Sequence, residues 1–155
     1  MAASQLLAHD VFSYLRPEEI NAIDNASEII ERPAGEVVYT QGEEAKYLWV
    51  VLDGQVALQL PGKKGFSILI ESLGRGAIFG ASASFEPGNY MLTAQCLSNS
   101  KILKIEAAVL RRLMDNDSRM GYALQKHISD LYFKRYIETM RKLQAIVMSI
   151  PLEAQ

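Results

Sequence analysis

Hydrophobic positions change period twice along the chain. After Phe12, "LRPEEINAIDNASEI" spaces its apolar residues as a short helix does, with Pro17 in the first turn and Glu18 and Glu19 complementing the positive helix N-terminus. From Ile29 to Ile105 the period shortens to that of strands. "EVVYT", "YLWVVL", "QVALQL", "FSILIESL" and "KILKI" are β-branched and aromatic runs separated by glycine-bearing turns. Asp53-Gly54, between two of these runs, predicts a tight two-residue hairpin with positive φ angles, and "PGKKG" at 61–65 predicts the next hairpin loop. Many short strands with frequent turns indicate a sandwich or a barrel-like jelly roll.

Beyond Ile105 the helical period returns. "EAAVLRRLMDND" predicts a helix of about three turns. Ser118 to Ser149 predicts a second helix of roughly 30 residues, capped by Ser118 and stopped by Pro151. Its apolar residues fall in two sets: Met120, Leu124, Ile128 and Leu131, then Phe133, Tyr136, Met140, Leu143 and Val147 at the 3-4-3-4 spacing of a coiled-coil seam. Either both sets dock on the chain's own barrel or the second forms a homodimer interface. The dimer is the favoured reading, because the seam outlasts the barrel. The expected fold is α+β, mainly β: an antiparallel jelly roll over about 26–105, flanked by a short N-terminal helix and by C-terminal helices over about 106–149. All of it forms one domain, 1–155.

Composition narrows the function classes. With 155 residues, 49% hydrophobic and 22% charged, the chain suits one globular core. No apolar run approaches the roughly 18–20 residues needed to cross a bilayer, and "MAASQLLAHDVFSYL" lacks a basic head and a continuous apolar centre. A cytoplasmic protein with no membrane partner is expected. The net charge of −2 gives no global drive toward nucleic acid, and Glu138 interrupts the basic run "FKRYIETMRK", which reads as a solvated helix face. Cys96 is alone, and His9 and His127 stand apart without carboxylate or thiol neighbours at ligand spacing, so no metal, no cofactor and no enzyme activity is expected. Cys96 itself reads as a small buried thiol.

Three stretches carry a family resemblance. "VFSYLRPEEI", "PAGEVVYTQGEEAKYLWVVLDGQVAL" and "LGRGAIFG" resemble the opening helix, first strands and cassette lead of the cyclic nucleotide-binding domain of catabolite activator proteins, kinase regulatory subunits and ion channels. The resemblance covers roughly residues 11–148 and implies a phosphate-binding cassette opening at Gly80. In that family a glutamate after this glycine holds the ribose 2′-hydroxyl, and a later arginine pairs with the cyclic phosphate. Here Ala81 follows Gly80, and Tyr90 or Met91 falls where the arginine belongs.

That departure is costly. A buried ion left unpaired costs about 3–5 kcal/mol, and a lost charge-assisted hydrogen bond costs about 1.5–3 kcal/mol. At 1.4 kcal/mol per tenfold, a micromolar site would move toward millimolar. The resemblance therefore implies a degenerate cassette. The candidate pocket is Phe79, Gly80, Ala81, Ser82, Ala83, Ser84, Tyr90 and Met91, where backbone N–H groups and the Ser82 and Ser84 hydroxyls remain as donors. Arg75 is a candidate substitute cation, against the plainer reading of an exposed turn residue; Tyr90 and Phe85 read as pocket fillers. Two functions fit: a dimeric regulatory sensor of an atypical small molecule, or a ligand-free dimerisation and interaction scaffold. Regulators of this family place a DNA-reading domain after the long helix, whereas here "SIPLEAQ" follows it, as it would in either an independent domain or a piece of a longer regulator. The charge pattern gives the expectation of no direct nucleic-acid binding by this chain.

Overall fold

The five strand-period runs and three further strands form two four-stranded antiparallel sheets. The computed structural model describes residues 11–81 and 88–151. Among the described residues the strands are β1 (Ser27–Arg32), β2 (Val37–Tyr39), β3 (Tyr47–Asp53), β4 (Val56–Pro61), β5 (Ser67–Leu73), β6 (Ile78–Phe79), β7 (Thr93–Cys96) and β8 (Ser100–Glu106). One sheet has the order β1-β8-β3-β6 and the other β2-β7-β4-β5. Three helices accompany them among the described residues: α1 (Pro17–Asn25), α2 (Ala107–Asn116) and α3 (Ser118–Ser149). The mainly antiparallel β roll with a short N-terminal and a long C-terminal helix is the architecture read from the sequence.

Both sheets contribute to one core. Trp49, Val51, Phe79 and Ile102 come from the first sheet and Tyr39, Val56, Leu58, Leu73, Ala94 and Cys96 from the second. β3 sits between β8 and β6, and its run Leu48–Leu52 is buried on both faces, which explains why "LWVVL" shows no apolar-polar alternation. Leu48, Val50, Leu103 and Ile105 on the other face are buried as well, as are Ile20 and Ile23 of α1 and Leu110 and Met114 of α2.

Three local expectations are corrected. First, α1 stops at Asn25 instead of running to Ile29. The Ala26 N–H donates to the Ile23 carbonyl, the Ser27 hydroxyl donates to the same oxygen, and Ser27–Arg32 then pairs with β8. Second, Asp53-Gly54 is no hairpin. β3 pairs with β8 and β6, and β4 with β5 and β7, so the turn carries the chain from one sheet to the other. Only Gly54 has positive φ, 98°, and a Cβ there would lie 2.4 Å from Ser100 Oγ and 2.6 Å from the Asn99 carbonyl oxygen. Third, the cap of α3 is Asp117 instead of Ser118: its Oδ1 accepts the Met120 N–H at 3.1 Å. The "PGKKG" hairpin forms as expected, joining β4 to β5.

The chain divides into two compact units, Met1–Ala123 and Leu124–Gln155. In the first, Glu19 is buried, and its Oε1 accepts the Arg16 N–H and an Arg119 Nη1–H, each at 2.7 Å. Its Oε2 has no partner among the described residues, so Arg119 is the counterion on which this carboxylate depends. In the second unit Leu124 and Ile128 are buried, whereas the helix is exposed throughout from Arg141 onward. Its ion pairs Asp130–Lys134 and Glu138–Arg141 are solvent-facing and add little stability.

Two stability outcomes follow. Gly54→Ala should destabilise by about 3 kcal/mol in urea denaturation, since strain and overpacking combine, while Gly35→Ala, with φ of 89° and open space around it, should cost about 1 kcal/mol. Arg119→Met should cost about 2–3 kcal/mol, below the 3–5 kcal/mol of a fully buried pair because the arginine is half-exposed.

Candidate functional site

The site is built where β6 ends. Phe79 closes that strand fully buried, and Gly80 follows with φ of 68°. A Cβ on Gly80 would stand 2.8 Å from Trp49 Cδ1 and 3.1 Å from Tyr90 Cε1. Glycine is therefore required for two aromatic rings to close over the backbone at this point.

Tyr90 is 4% exposed and stacks on Tyr39 with ring centroids 3.7 Å apart and planes inclined by 14°. Its hydroxyl donates to the Tyr47 carbonyl at 2.8 Å and accepts the Trp49 Nε1–H at 3.0 Å and the Tyr47 N–H at 3.2 Å. One donor and two acceptor positions are then all engaged. Phe79 stacks against both Tyr39 and Trp49, completing a four-ring cluster with no charged side chain. Burial pushes the Tyr90 phenol above its ordinary value, and the hydrogen bonds from Trp49 and Tyr47 offset part of that rise.

Backbone pairing aims Tyr90 inward. The Ala45 N–H donates to the Gly88 carbonyl, the Tyr90 N–H to the Glu43 carbonyl, and the Gly42 N–H to the Tyr90 carbonyl. Glu44 and Asn89 form a bridge between the same two segments. Met91, one residue on, is turned out and 72% exposed. Of the two residues that the resemblance sets at the arginine's place, Tyr90 is the one beside Gly80. Ala81 is buried, and Arg75 is exposed in a turn closed by the Ala77 N–H on the Gly74 carbonyl. Ser82, Ala83, Ser84 and Phe85 lie outside the described residues.

Tyr39 and Trp49 were not singled out from the sequence. Their strand runs gave the signal, but "LWVVL" is apolar on both faces and so does not say which ring meets the cassette. Elsewhere, burial raises the Cys96 thiol above its ordinary value and disfavours the reactive thiolate, and burial lowers the His127 imidazole. Among the described residues no group of His, Cys, Asp and Glu could hold a metal ion, and no helix is long and apolar enough to cross a membrane.

Tyr90→Phe removes one hydroxyl that serves three backbone and side-chain groups, and should cost about 1–3 kcal/mol in urea denaturation. Because the folded phenol titrates above its unfolded value near pH 10, its contribution is present below about pH 10 and is lost as pH rises through the folded value. Denaturation midpoints measured from pH 8 to 12 should fall less steeply for Tyr90→Phe than for the parent chain. A residual slope from half-buried Tyr14, likewise raised by desolvation, should persist.

Comparison with known proteins places this geometry. The family model described as "Cyclic nucleotide-binding domain" matches residues 29–117. A CRP-like cAMP-activated global transcriptional regulator of Mycobacterium tuberculosis is 23% identical over 101 residues, 65% of this chain and 45% of that protein. The chain thus spans less than half the length of the curated relatives it matches. Among solved structures, the sensor domain of the transcriptional regulator DNR from Pseudomonas aeruginosa shares the fold with a TM-score of 0.70 at 20% identity, over 98% of this chain and 95% of that one. The c-di-GMP responsive global regulator CLP of Xanthomonas campestris does so with a TM-score of 0.77 at 18% identity, over 87% and 66%. With the model match covering more than half its length, the chain belongs to the cyclic nucleotide-binding domain family.

Proposed function

We propose that this chain is a regulatory module of that family which takes neither cyclic AMP nor cyclic GMP and works as a homodimerising scaffold. The observation that supports this is the closure of Tyr90 over Gly80, where its ring and hydroxyl already occupy the position from which an arginine would meet a phosphate. Admitting a cyclic nucleotide would expose that ring, at about 1.5–3 kcal/mol, and break three hydrogen bonds, at about 0.5–1.5 kcal/mol each. The buried phosphate would then find no countercharge, a further cost of about 3–5 kcal/mol. Ala81 adds no acceptor for a ribose hydroxyl.

The dimer rests on the second unit. Phe133, Tyr136, Met140, Leu143 and Val147 are between 39% and 62% exposed in the single chain and keep heptad spacing along one continuous helix. A second copy laying the same seam against it would take these five side chains out of water together.

The fold likeness to a regulator described as c-di-GMP responsive favours one other reading, in which Tyr90 is a displaceable plug and the barrel senses a different small molecule. A thermal-shift titration separates the two. A ligand at a hundred times its dissociation constant stabilises by about 2.7 kcal/mol, so an upward shift with cyclic di-GMP would support the sensor and its absence the scaffold.

Calorimetric titration with cyclic AMP and cyclic GMP should show no binding tighter than roughly 0.1 mM, which corresponds to about 5.5 kcal/mol. A micromolar constant would reject the scaffold. Ala81→Glu with Tyr90→Arg should restore measurable affinity, while Ala81→Glu with Met91→Arg should not, because residue 91 faces solvent. Sedimentation at micromolar concentration should give twice the 17.3 kDa chain mass, and Met140→Lys with Leu143→Lys should return it to the monomer.

A further inference from the structure

The hairpin between β4 and β5 is unlike the rest of the roll. Phe66 is 77% exposed, Ile68 60%, Leu69 52% and Leu60 38%. Leu60 and Ile68 are directly opposite each other in the ladder, and Leu69 opposes Gln59 on the other face, so the outer end of the hairpin is apolar on both sides. Its tip is ordered: the Gly62 N–H donates to the Phe66 carbonyl at 2.7 Å and the Phe66 N–H to the Lys63 carbonyl at 3.1 Å. Lys64 sits at φ of 56° and Gly65 at 78°. Both Lys63 and Lys64 are exposed, and from Gly54 to Ile70 the sequence has no acid.

An apolar wedge rimmed by two lysines matches an anionic lipid surface, in which aliphatic and aromatic side chains enter the acyl boundary and ammonium groups meet headgroup phosphates. Against the expectation of no membrane partner, which rested on the lack of a spanning segment, we propose that the β4–β5 hairpin docks this protein peripherally on anionic membranes, with Phe66, Ile68 and Leu69 inserting and Lys63 and Lys64 at the headgroups. The chain's net charge of −2 does not oppose this, because the field that matters acts within a Debye length of about 8 Å around the tip. A second copy fits the hairpin less well. β5 is an edge strand with Lys63 and Lys64 before it and Arg75 after it, and antiparallel pairing of two copies would set those basic ends against each other. A nucleic-acid strand would use the lysines and the single aromatic Phe66 but leave Leu60, Ile68 and Leu69 in water.

Co-sedimentation of the full chain with phosphatidylcholine vesicles, with and without phosphatidylserine, tests the proposal. The protein should pellet with the phosphatidylserine vesicles, less with phosphatidylcholine alone, and less again as salt rises. Phe66→Ser with Ile68→Ser should abolish pelleting. Lys63→Gln with Lys64→Gln should weaken it by roughly twenty- to thirtyfold, about fivefold per lysine. All four positions are exposed, and thermal unfolding of each variant verifies that it is folded; if the serine variant is not, the lysine variant and the salt series carry the test. No pelleting with phosphatidylserine vesicles, equal pelleting on both lipids, or full retention in the folded variants overturns the proposal. So does binding of a single-stranded oligonucleotide in place of vesicles, or a fall in the lipid-free sedimentation mass of either variant, which would assign the hairpin to a contact between copies.

Discussion

One phenol hydroxyl ties two chain segments together through three hydrogen bonds in the core of this roll. Tyr90 enters from the segment that follows the cassette, Tyr47 contributes its backbone from the start of β3, and Trp49 contributes its indole two residues on. Gly80 is the fourth participant, because any side chain there would collide with both rings. A polar atom in such a place must be fully satisfied or it would cost more than a methyl group. Here it is, so the aromatic cluster behaves as ordinary core. On the function proposed above, the same contacts that stabilise the roll leave no room for a charged guest.

How much of this was legible beforehand depended on which scale set the outcome. Five of the eight described strands, β2 to β5 and β8, and the β4–β5 hairpin were readable because turn glycines and side-chain period are local signals. The end of α1 was not: Ile29 and Ile30 fit the apolar face of a helix as well as a strand, and pairing with β8 decided for the strand. Asp53-Gly54 announced a turn, but the hairpin read from it did not form, because the partners of the flanking strands are β8 and β7, far along the sequence. At the site, a one-residue ambiguity separated Tyr90 from Met91. Successive residues of an extended segment face opposite ways, so that single step distinguishes a buried ring from a solvent-facing thioether. The hydrogen bonds of residues 88–90 to residues 42–45 fix the choice, and no local pattern encodes them.

The Glu19–Arg119 pair shows a different limit. As a sequence feature Glu19 complements the start of α1, and its interaction with the Arg16 N–H is that local role. Its burial, however, makes it dependent on a residue of α3, and a carboxylate with one unpartnered oxygen leaves little tolerance for losing the other contact. Charge near a helix terminus is readable; the depth at which that charge will sit is not.

The corner at Gly54 has a consequence for how the chain is made. Because β3 and β4 diverge into different sheets, neither finds its central partner nearby: β3 lies against β8 and β4 against β7, the last two strands to be synthesised. Until those strands emerge, β3 and β4 can pair on one side only, with β6 and β5, and the other edge of each apolar run stays open. Closure then depends on contacts distant in sequence, which form slowly. The roll should therefore fold late and all at once, leaving the unfinished chain most prone to association just before its last two strands appear.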